Sequence, residues 1–194
     1  MAKNPRNNGK RDVILKEAAK LFKEKSFGGA SMRELAERVG IEAPSMYHHI
    51  ASKDEILEII CFSIGNLYVS QLEDISRREL SVIEKLKELI RLHVRIMIKN
   101  GDAVSVANND WKHLSDEKLK KFKELRSGYE KKVVELLKEG VESGELKAVN
   151  TSVTLFTILS AIRWVELWWR PNRGISAEEL EESIITILLE GLVK

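Results

Sequence analysis

The stretch from Ser31 to Lys53 constrains the fold of this chain more than any other part of the sequence. Ser31 and Glu34 stand three residues apart, as in a capping box, so a helix is expected to begin there. Gly40 follows that helix, at a position where a left-handed turn costs glycine least. A second short helix is expected just after it, with Pro44 in its first turn. Two short helices joined by a glycine turn are typical of a helix-turn-helix.

The second helix of this motif has one apolar and one polar face. Met46 and Ile50 are expected to point back at the first helix, because their spacing places them on one side. The other side is free to enter the major groove of DNA. Its members are Ser45, Tyr47, His48 and His49.

The residues in and around this motif are expected to make two kinds of DNA contact. Contacts to phosphates are expected from Lys10, Arg11, Ser31, Tyr47 and Lys53. Contacts to base edges are expected from Arg33, Ser45 and His48, with Pro44 and Tyr47 able to touch a thymine methyl group. Two alternatives stay open: Arg33 can form an ion pair on a solvated face, and His49 can pack under the turn instead of meeting DNA.

The distribution of charge favours the same function. Residues 1–41 carry ten Lys or Arg and five Asp or Glu, whereas the whole chain has a net charge of only +2. A basic N-terminal part on a mildly acidic remainder is typical of a protein that touches a polyanion with one end.

The rest of the sequence predicts an all-α protein of about nine helices. Charged residues make up 32% of the chain and hydrophobic residues 43%, which excludes a disordered chain, and β-branched residues do not cluster between turn signals. We expect a three-helix DNA-binding domain at residues 1–52, with residues 1–9 as a flexible tail. Residues 53–194 are expected to form a helical domain for ligand binding and dimerisation.

A second copy of the chain is the expected partner of the last two helices. Residues 153–169 are apolar on almost every side, and such a helix needs cover on every side. We therefore predict a two-fold homodimer with a four-helix bundle at its interface. A palindromic operator on double-stranded DNA, with half-sites roughly 34–36 Å apart, follows from that symmetry.

Several classes of protein are excluded by what the sequence lacks. It contains no G-x-S-x-G, H-E-x-x-H or P-loop motif, so an enzyme is not expected, and neither a metal site nor a cofactor is predicted. The single cysteine, Cys61, fits a reducing cytoplasm. No secretory signal is recognised, and residues 153–169 are too short and too charged for a membrane span.

The N-terminal part resembles the DNA-binding domain of the tetracycline-repressor (TetR) family. The resemblance covers residues 10–57 and rests on Ile14, Ala18, Ala19, Leu21 and Phe22, on S-M-R-E-L-A-E-R-V-G-I, and on M-Y-H-H-I-A-S-K-D-E-I-L. Ile50 stands where the family usually has Phe, and Phe27-Gly28-Gly29 replaces a Gly-aromatic order. The resemblance implies that residues 31–53 form the DNA surface.

An effector pocket between helices is expected in the second domain, since helical bundles commonly hold apolar ligands there. The candidate lining residues are Cys61, Ile64, Leu67, Tyr68, Ile90, Met97, Trp111, Phe122, Leu125, Tyr129, Arg163 and Trp164. Arg163 lies in an apolar run, and a buried guanidinium needs a partner. The two alternatives for the partner of Arg163 are Glu166 and an anionic ligand.

The C-terminal part, over residues 122–192, resembles TetR-type repressors that respond to acyl-coenzyme A. The resemblance rests on L-R-S-G-Y-E-K-K-V-V-E-L-L-K-E-G-V-E-S-G-E-L, on I-R-W-V-E-L-W-W-R-P and on the terminal L-L-E-G-L, with Arg163 in place of a neutral residue. It implies a repressor of fatty-acid or lipid metabolism genes that a long-chain acyl-CoA releases. Arg126, Lys131 and Arg170 are then candidates to meet the phosphates of the coenzyme.

Two other functions remain open at the level of sequence. One is a multidrug-sensing repressor of an efflux gene, with the same fold and a broader aromatic pocket. The other is an architectural DNA-binding protein with no ligand. The number and type of genomic binding sites would separate the three.

Overall fold

The computed structural model describes residues 5–170 and 174–190 of the chain. Within those ranges every regular element is a helix, which confirms the all-α prediction and the expected number of helices. The α-helices are α1 (Pro5–Gly29), α2 (Met32–Val39), α3 (Ala43–Met46), α4 (Lys53–Ser76), α5 (Val82–Asn109), α6 (Asp116–Glu142), α7 (Thr151–Trp168) and α8 (Ala177–Leu189). A 3-10 helix, Trp111–His113, separates α5 from α6.

Serine caps fix where several of these helices begin. In each case the serine hydroxyl oxygen accepts the backbone N–H of the glutamate three residues later, which satisfies a donor that the helix itself leaves unpaired. The pairs, with their N···O distances, are Ser31–Glu34 at 3.2 Å, Ser52–Glu55 at 3.0 Å, Ser81–Glu84 at 3.2 Å and Ser176–Glu179 at 3.0 Å. Short-range hydrogen bonding therefore sets these boundaries.

Helices α1 and α5 each contain one residue with a non-helical backbone. In α1 this residue is Ser26; the helix begins at Pro5, and proline is well suited to a first helical turn because its φ is already helical, while the flexible tail at residues 1–9 stays a prediction. In α5 this residue is Asn100, at φ −127° and ψ 28°, so α5 consists of two helical segments that meet at a kink there, and it ends at Asn109. Residues 1–4 and 191–194, which include the end of the resemblance at residue 192, lie outside the described residues.

The chain divides into two compact units that differ from the domains predicted by function. The first unit is Met1–Asn66 together with Asp102–Glu124. The second is Leu67–Gly101 together with Leu125–Lys194. Helices α4, α5 and α6 each contribute residues to both units. The boundary between residues 52 and 53 stays a prediction about function.

Each unit has its own apolar core. In the first, the predicted α1 stripe is buried together with the inward residues of the helix-turn-helix: Ile14, Ala18, Leu21, Phe22, Leu35, Ala36, Met46 and Ile50. In the second, residues of α5, α6, α7 and α8 form one cluster that includes Leu86, Ile90, Val133, Leu137, Ile158, Ile162 and Leu180. Burial of these side chains is the main favourable contribution to the stability of each unit.

Helix α4 is long and apolar enough, by length and composition, to cross a membrane, and it is the one such helix in the described part of the chain. Its apolar residues are nevertheless used inside the protein. Ile56, Leu57, Ile60 and Cys61 are all buried in the first unit. This is the pattern of a core helix, so no membrane role is needed to explain its composition.

Candidate DNA interface and effector domain

The helix-turn-helix of the first unit has the geometry that the sequence predicts. Gly40 ends α2 in a left-handed conformation with φ 70°. Its N–H donates to the carbonyl oxygen of Glu37 at 3.2 Å, and the N–H of Ile41 donates to that of Ala36 at 3.0 Å. Helix α3 is short, and the turn that follows it contains Tyr47, so the chain leaves the helix earlier than the sequence pattern suggests.

The residues predicted to read bases form an exposed surface around the buried Met46. Pro44, Ser45 and His48 are exposed, and 53% of Tyr47 is accessible. Because neighbouring Met46 and Ile50 are buried, this polar side of the segment is held outward. The arrangement can offer hydroxyl, phenol and imidazole groups to base edges in a major groove.

The two residues with open alternatives differ in their surroundings. Arg33 is highly exposed and pairs with Glu37, one turn later, at 3.3 Å, as the ion-pair alternative expects. Such an exposed pair is weak and can be exchanged for a phosphate or a base. His49 is partly buried, and its Nδ1 atom is buried with no hydrogen-bond partner among the described residues, which favours packing under the turn.

The basic residues predicted to hold phosphates already have partners within the protein. Lys10 Nζ donates to the carbonyl oxygen of Val39 at 3.5 Å, and the Arg11 guanidinium pairs with Glu55 at 2.7 Å. Lys53 Nζ donates to two backbone carbonyl oxygens, so two of its three N–H donors are used. A phosphate would add to these contacts or replace them.

The predicted pocket residues are divided between the two units. In the first unit, Cys61, Ile64 and Phe122 are buried and Trp111 is partly buried. Phe122 makes ring contacts with Phe62 and Trp111, with centroids 5.4 and 6.2 Å apart. Burial raises the pKa of the Cys61 thiol to about 12, so it is a core residue and not a reactive one.

In the second unit, the candidates gather around a histidine that the sequence analysis did not select. His93 Nε2 shares a hydrogen bond with the Tyr129 hydroxyl at 2.6 Å, and its ring stacks on Tyr68 with centroids 4.4 Å apart. Burial lowers the pKa of His93 to about 4, so its imidazole is neutral at pH 7. Burial also raises the pKa of Tyr68 and Tyr129 above the ordinary range. The residue was detectable in the sequence, since it lies three residues after Ile90 and four before Met97, on the side of α5 that faces the core.

The remaining candidates of the second unit range from buried to exposed. Those with buried side chains are Ile90 and Met97, and those with partly buried side chains are Leu67, Leu125 and Arg126. Lys131 and Arg170, the further candidates for phosphate contacts, are exposed.

Arg163 and Trp164 lie on the surface of this unit. The expectation that Arg163 is a buried guanidinium is wrong, because the residue is exposed, and the choice between Glu166 and an anionic ligand as its partner stays open. Trp164 is 62% exposed. The apolar run around these residues suggested burial on all sides, whereas only one side of α7 faces the core.

A buried carboxylate is a second feature that the sequence analysis missed. Glu181 lies in α8 with 5% of its surface exposed and accepts three hydrogen bonds from Arg95, at 2.8, 2.9 and 3.1 Å, in a bidentate pair. Arg91 binds the neighbouring Glu182 at 2.9 Å. These pairs fix α8 against α5, and their partners lie about ninety residues apart in sequence, so periodicity gives no signal for them.

Comparison with known proteins shows to which family this arrangement of helices belongs. Residues 14–60 match the description "Bacterial regulatory proteins, tetR family", and residues 79–192 match "Tetracyclin repressor-like, C-terminal domain". This chain belongs to the TetR family. It is therefore a DNA-binding transcriptional repressor and not an enzyme. Regulators of the family bind operator DNA and act as dimers, which confirms both predicted partners.

Three similar proteins illustrate the relationship. The TetR-family chain is 26% identical, over 95% of its length and 91% of the relative's, to the HTH-type transcriptional repressor KstR2 of Mycolicibacterium smegmatis. It is 20% identical, over 92% of its length and 93% of the relative's, to a fatty acid metabolism regulator protein of Bacillus subtilis. The structure of AibR in complex with isovaleryl coenzyme A and operator DNA has the same fold, with a TM-score of 0.81, 20% identity, and coverage of 92% of this chain and 97% of that one.

Proposed function

We propose that this protein represses genes of lipid or fatty-acid metabolism from a palindromic operator and that a long-chain acyl-CoA releases it. The observation that carries the proposal is the extent of the similarity to KstR2 and to the Bacillus subtilis regulator. It covers 92–95% of the chain and so includes the effector domain as well as the helix-turn-helix. AibR supports the chemical class of the effector, since it was solved with an acyl-CoA and operator DNA.

In this proposal the exposed residues of the α2–α3 segment read the operator. Arg33, Ser45 and His48 contact base edges, and Pro44 and Tyr47 touch thymine methyl groups. Lys10, Arg11 and Ser31 hold phosphates and set the position of the helix-turn-helix. Operator affinity should therefore fall steeply with salt, and affinity that stays constant between about 50 and 200 mM salt would contradict a phosphate-held complex.

We assign the outer face of α7, together with α8, to the contact with the second copy. The exposed apolar residues lie on one side of the helix at its 3.6-residue period, with the exposed Ser160 between the second and the third of them: Val153, Phe156, Trp164, Leu167 and Trp168. Ile187 of α8 is 76% exposed. A surface groove of about 590 Å³ lies on the same stripe, between Val153 and Ser160. An apolar stripe of this length supports burial against an identical stripe in a two-fold dimer.

We place the acyl chain in the second unit, among its apolar and aromatic residues. Tyr68, His93 and Tyr129 provide hydrogen-bonding groups inside apolar surroundings, and an acyl thioester needs both an apolar wall and a donor for its carbonyl oxygen. Arg126, Lys131 and Arg170 are then the candidates for the phosphates of the coenzyme. A cytoplasmic location follows from the operator and the effector together.

Release is a population shift in this proposal. The effector must bind one arrangement of the two DNA-binding heads better than the other, because a ligand with equal affinity for both shifts nothing. Helix α4 is the lever that we propose, since Lys53 opens it directly after the helix-turn-helix and the same helix continues into the second unit. Identical head separation in crystals with and without effector would contradict it.

The test compares four ligands on the full-length protein by thermal shift and by release of a palindromic duplex selected with the wild-type protein. Palmitoyl-CoA is expected to raise the melting temperature and release the DNA, whereas coenzyme A, palmitate and a cationic dye are not. Release by the dye alone would favour a multidrug sensor. No effect of palmitoyl-CoA in either measurement would refute the proposed long-chain acyl-CoA effector.

A further inference from the structure

The corner at residues 26–30, where α1 is kinked at Ser26 shortly before α2 begins, is held by Asp110, the residue directly after α5. Ser26 leaves the helical conformation with φ 61° and ψ 164°, and Phe27 follows it with its side chain buried. The backbone N–H of Phe27 donates to Asp110 Oδ1 at 3.2 Å. Asp110 is only 6% exposed, so this charge-assisted bond is sheltered from water.

The same corner is also bound to the start of α4. Lys53 Nζ donates to the carbonyl oxygens of Phe27 and Ala30 at 2.8 and 2.9 Å. It also lies 4.4 Å from the centre of the Phe27 ring, within the range of a cation–π contact. On the other side, the Phe27 ring stacks on His113 of the 3-10 helix, with centroids 5.4 Å apart. Two elements outside the helix-turn-helix therefore meet at residues 27–30.

Helix α5 carries residues of both compact units and contains a kink at Asn100. Its part up to Gly101 belongs to the second unit, and the part from Asp102 onward belongs to the first. The non-helical residue Asn100 lies directly before that division. After the bend, Asp102 pairs with Lys23 of α1 at 3.1 Å, so α5 and the residue that follows it meet α1 at two points.

We propose that Asp110 and Lys53 are positioning residues for operator recognition. Asp110 transmits a movement of α5 to the α1–α2 corner, and Lys53 fixes that corner to the start of α4. Helix α2 begins at Met32, two residues after the corner, so a shift of residues 27–30 displaces the start of the helix-turn-helix. Separating Asp110 from Phe27 would leave a buried N–H and a buried carboxylate unpaired, which is unfavourable. We therefore expect the two residues to move together.

The first experiment needs no effector. Gly101→Ala adds a methyl group that meets nothing within 4 Å and favours the helix beside the bend. It is expected to change the operator Kd at least threefold in the wild-type background and less than 1.5-fold in an Asp110→Ala background. Asp110→Asn keeps an acceptor for Phe27 and should preserve the response, as should the exposed control Lys112→Ala. An equal change in all backgrounds, or none in the wild type, would overturn the proposal.

Lys53→Met separates positioning from phosphate binding and remains informative if Asp110→Ala does not fold. A lysine that holds a phosphate contributes about one unit to the slope of log K against log salt. A positioning lysine contributes none, so Lys53→Met should weaken operator binding at least fivefold while the salt slope stays at the wild-type value. A slope reduced by about one would assign Lys53 to the phosphate and remove it from this proposal.

The second experiment rests on the proposed function. With palmitoyl-CoA as the probe, Asp110→Ala should bind the ligand with wild-type affinity and yet lose most of the ligand-induced fall in operator affinity. Unchanged release would overturn the role of Asp110. If palmitoyl-CoA does not release the wild-type protein from the operator, the proposed effector is wrong. The comparison of Gly101→Ala in the wild-type and Asp110→Ala backgrounds would still decide the role of the corner.

Discussion

Replacing Leu167 by Ser tests whether the outer face of α7 is the dimer interface. Leu167 is 60% exposed in the single chain, so its loss costs little to the fold of one subunit. Burying a leucine side chain fully is worth roughly 1.5–3 kcal/mol, and the exposed part accounts for roughly 1–2 kcal/mol. A two-fold interface contains the residue twice, which makes the loss roughly 2–4 kcal/mol per dimer.

That loss is large enough to measure as a dissociation constant. Since each 1.4 kcal/mol is a factor of ten, Leu167→Ser should raise the dimer Kd roughly thirty- to several-hundred-fold. Sedimentation velocity over a range of protein concentrations measures this constant directly. Operator binding should weaken in parallel, because two linked heads bind a palindrome far better than one.

The sequence provides a matched control at Leu80. This residue is also an exposed leucine, at 39%, but it lies in the turn between α4 and α5 and not on α7. Leu80→Ser should leave the dimer Kd within about threefold of the wild type, because isolated surface changes are worth about 0.5 kcal/mol. Equal dimerisation by both variants, with circular dichroism showing both folded, would refute the assignment of the α7 face.

Three further predictions concern stability and reactivity. Gly140→Ala places a methyl group 2.7 Å from the buried Leu146 and should destabilise the protein, whereas Gly128→Ala meets nothing within 4 Å. Both variants gain the same helix propensity, so urea unfolding should separate them by the overpacking cost of about 1–3 kcal/mol, and a more stable Gly140→Ala would contradict the packing. The pKa of His93 is lowered to about 4 in the native protein, so below pH 6.5 the unfolded chain takes up a proton that the native protein does not. The free energy of unfolding should therefore decrease as the pH is lowered from 6.5 to 4. Over that pH range the free energy of unfolding of His93→Gln should decrease by about 2–3 kcal/mol less than that of the wild-type protein. Identical pH profiles of unfolding for the two proteins would rule out a neutral imidazole at this position. Cys61, with its pKa raised to about 12 by burial, should react with a maleimide only when the protein unfolds, and labelling at the rate of a free thiol would refute its burial.

The local features of the fold could be predicted because they depend on residues close together in sequence. A serine cap joins a hydroxyl group to an N–H three residues later, so Ser31 and Glu34 specify a helix start without help from the rest of the chain. The left-handed turn at Gly40 and the burial of Met46 likewise follow from residue type and spacing. The helix-turn-helix and most of its exposed surface were therefore accessible from sequence.

Features that join distant residues were not accessible in the same way. The bond from Phe27 to Asp110 spans 83 residues, and no periodic pattern marks its two ends. The pocket candidates were chosen by residue type alone, and the structure divides them between two units and moves Arg163 to the surface. His93 was missed because an apolar stripe was read for its aliphatic members only.

The sequence by itself determined that this chain is helical, where its capped helices begin, and that its N-terminal part carries a helix-turn-helix, since hydrogen bonds and side-chain spacing within a few residues are sufficient for each. Tertiary structure decided which side of the apolar helix α7 faces the core and that Asp110 meets Phe27. Those outcomes depend on the packing of segments far apart in the chain, which bury one set of side chains and leave another exposed.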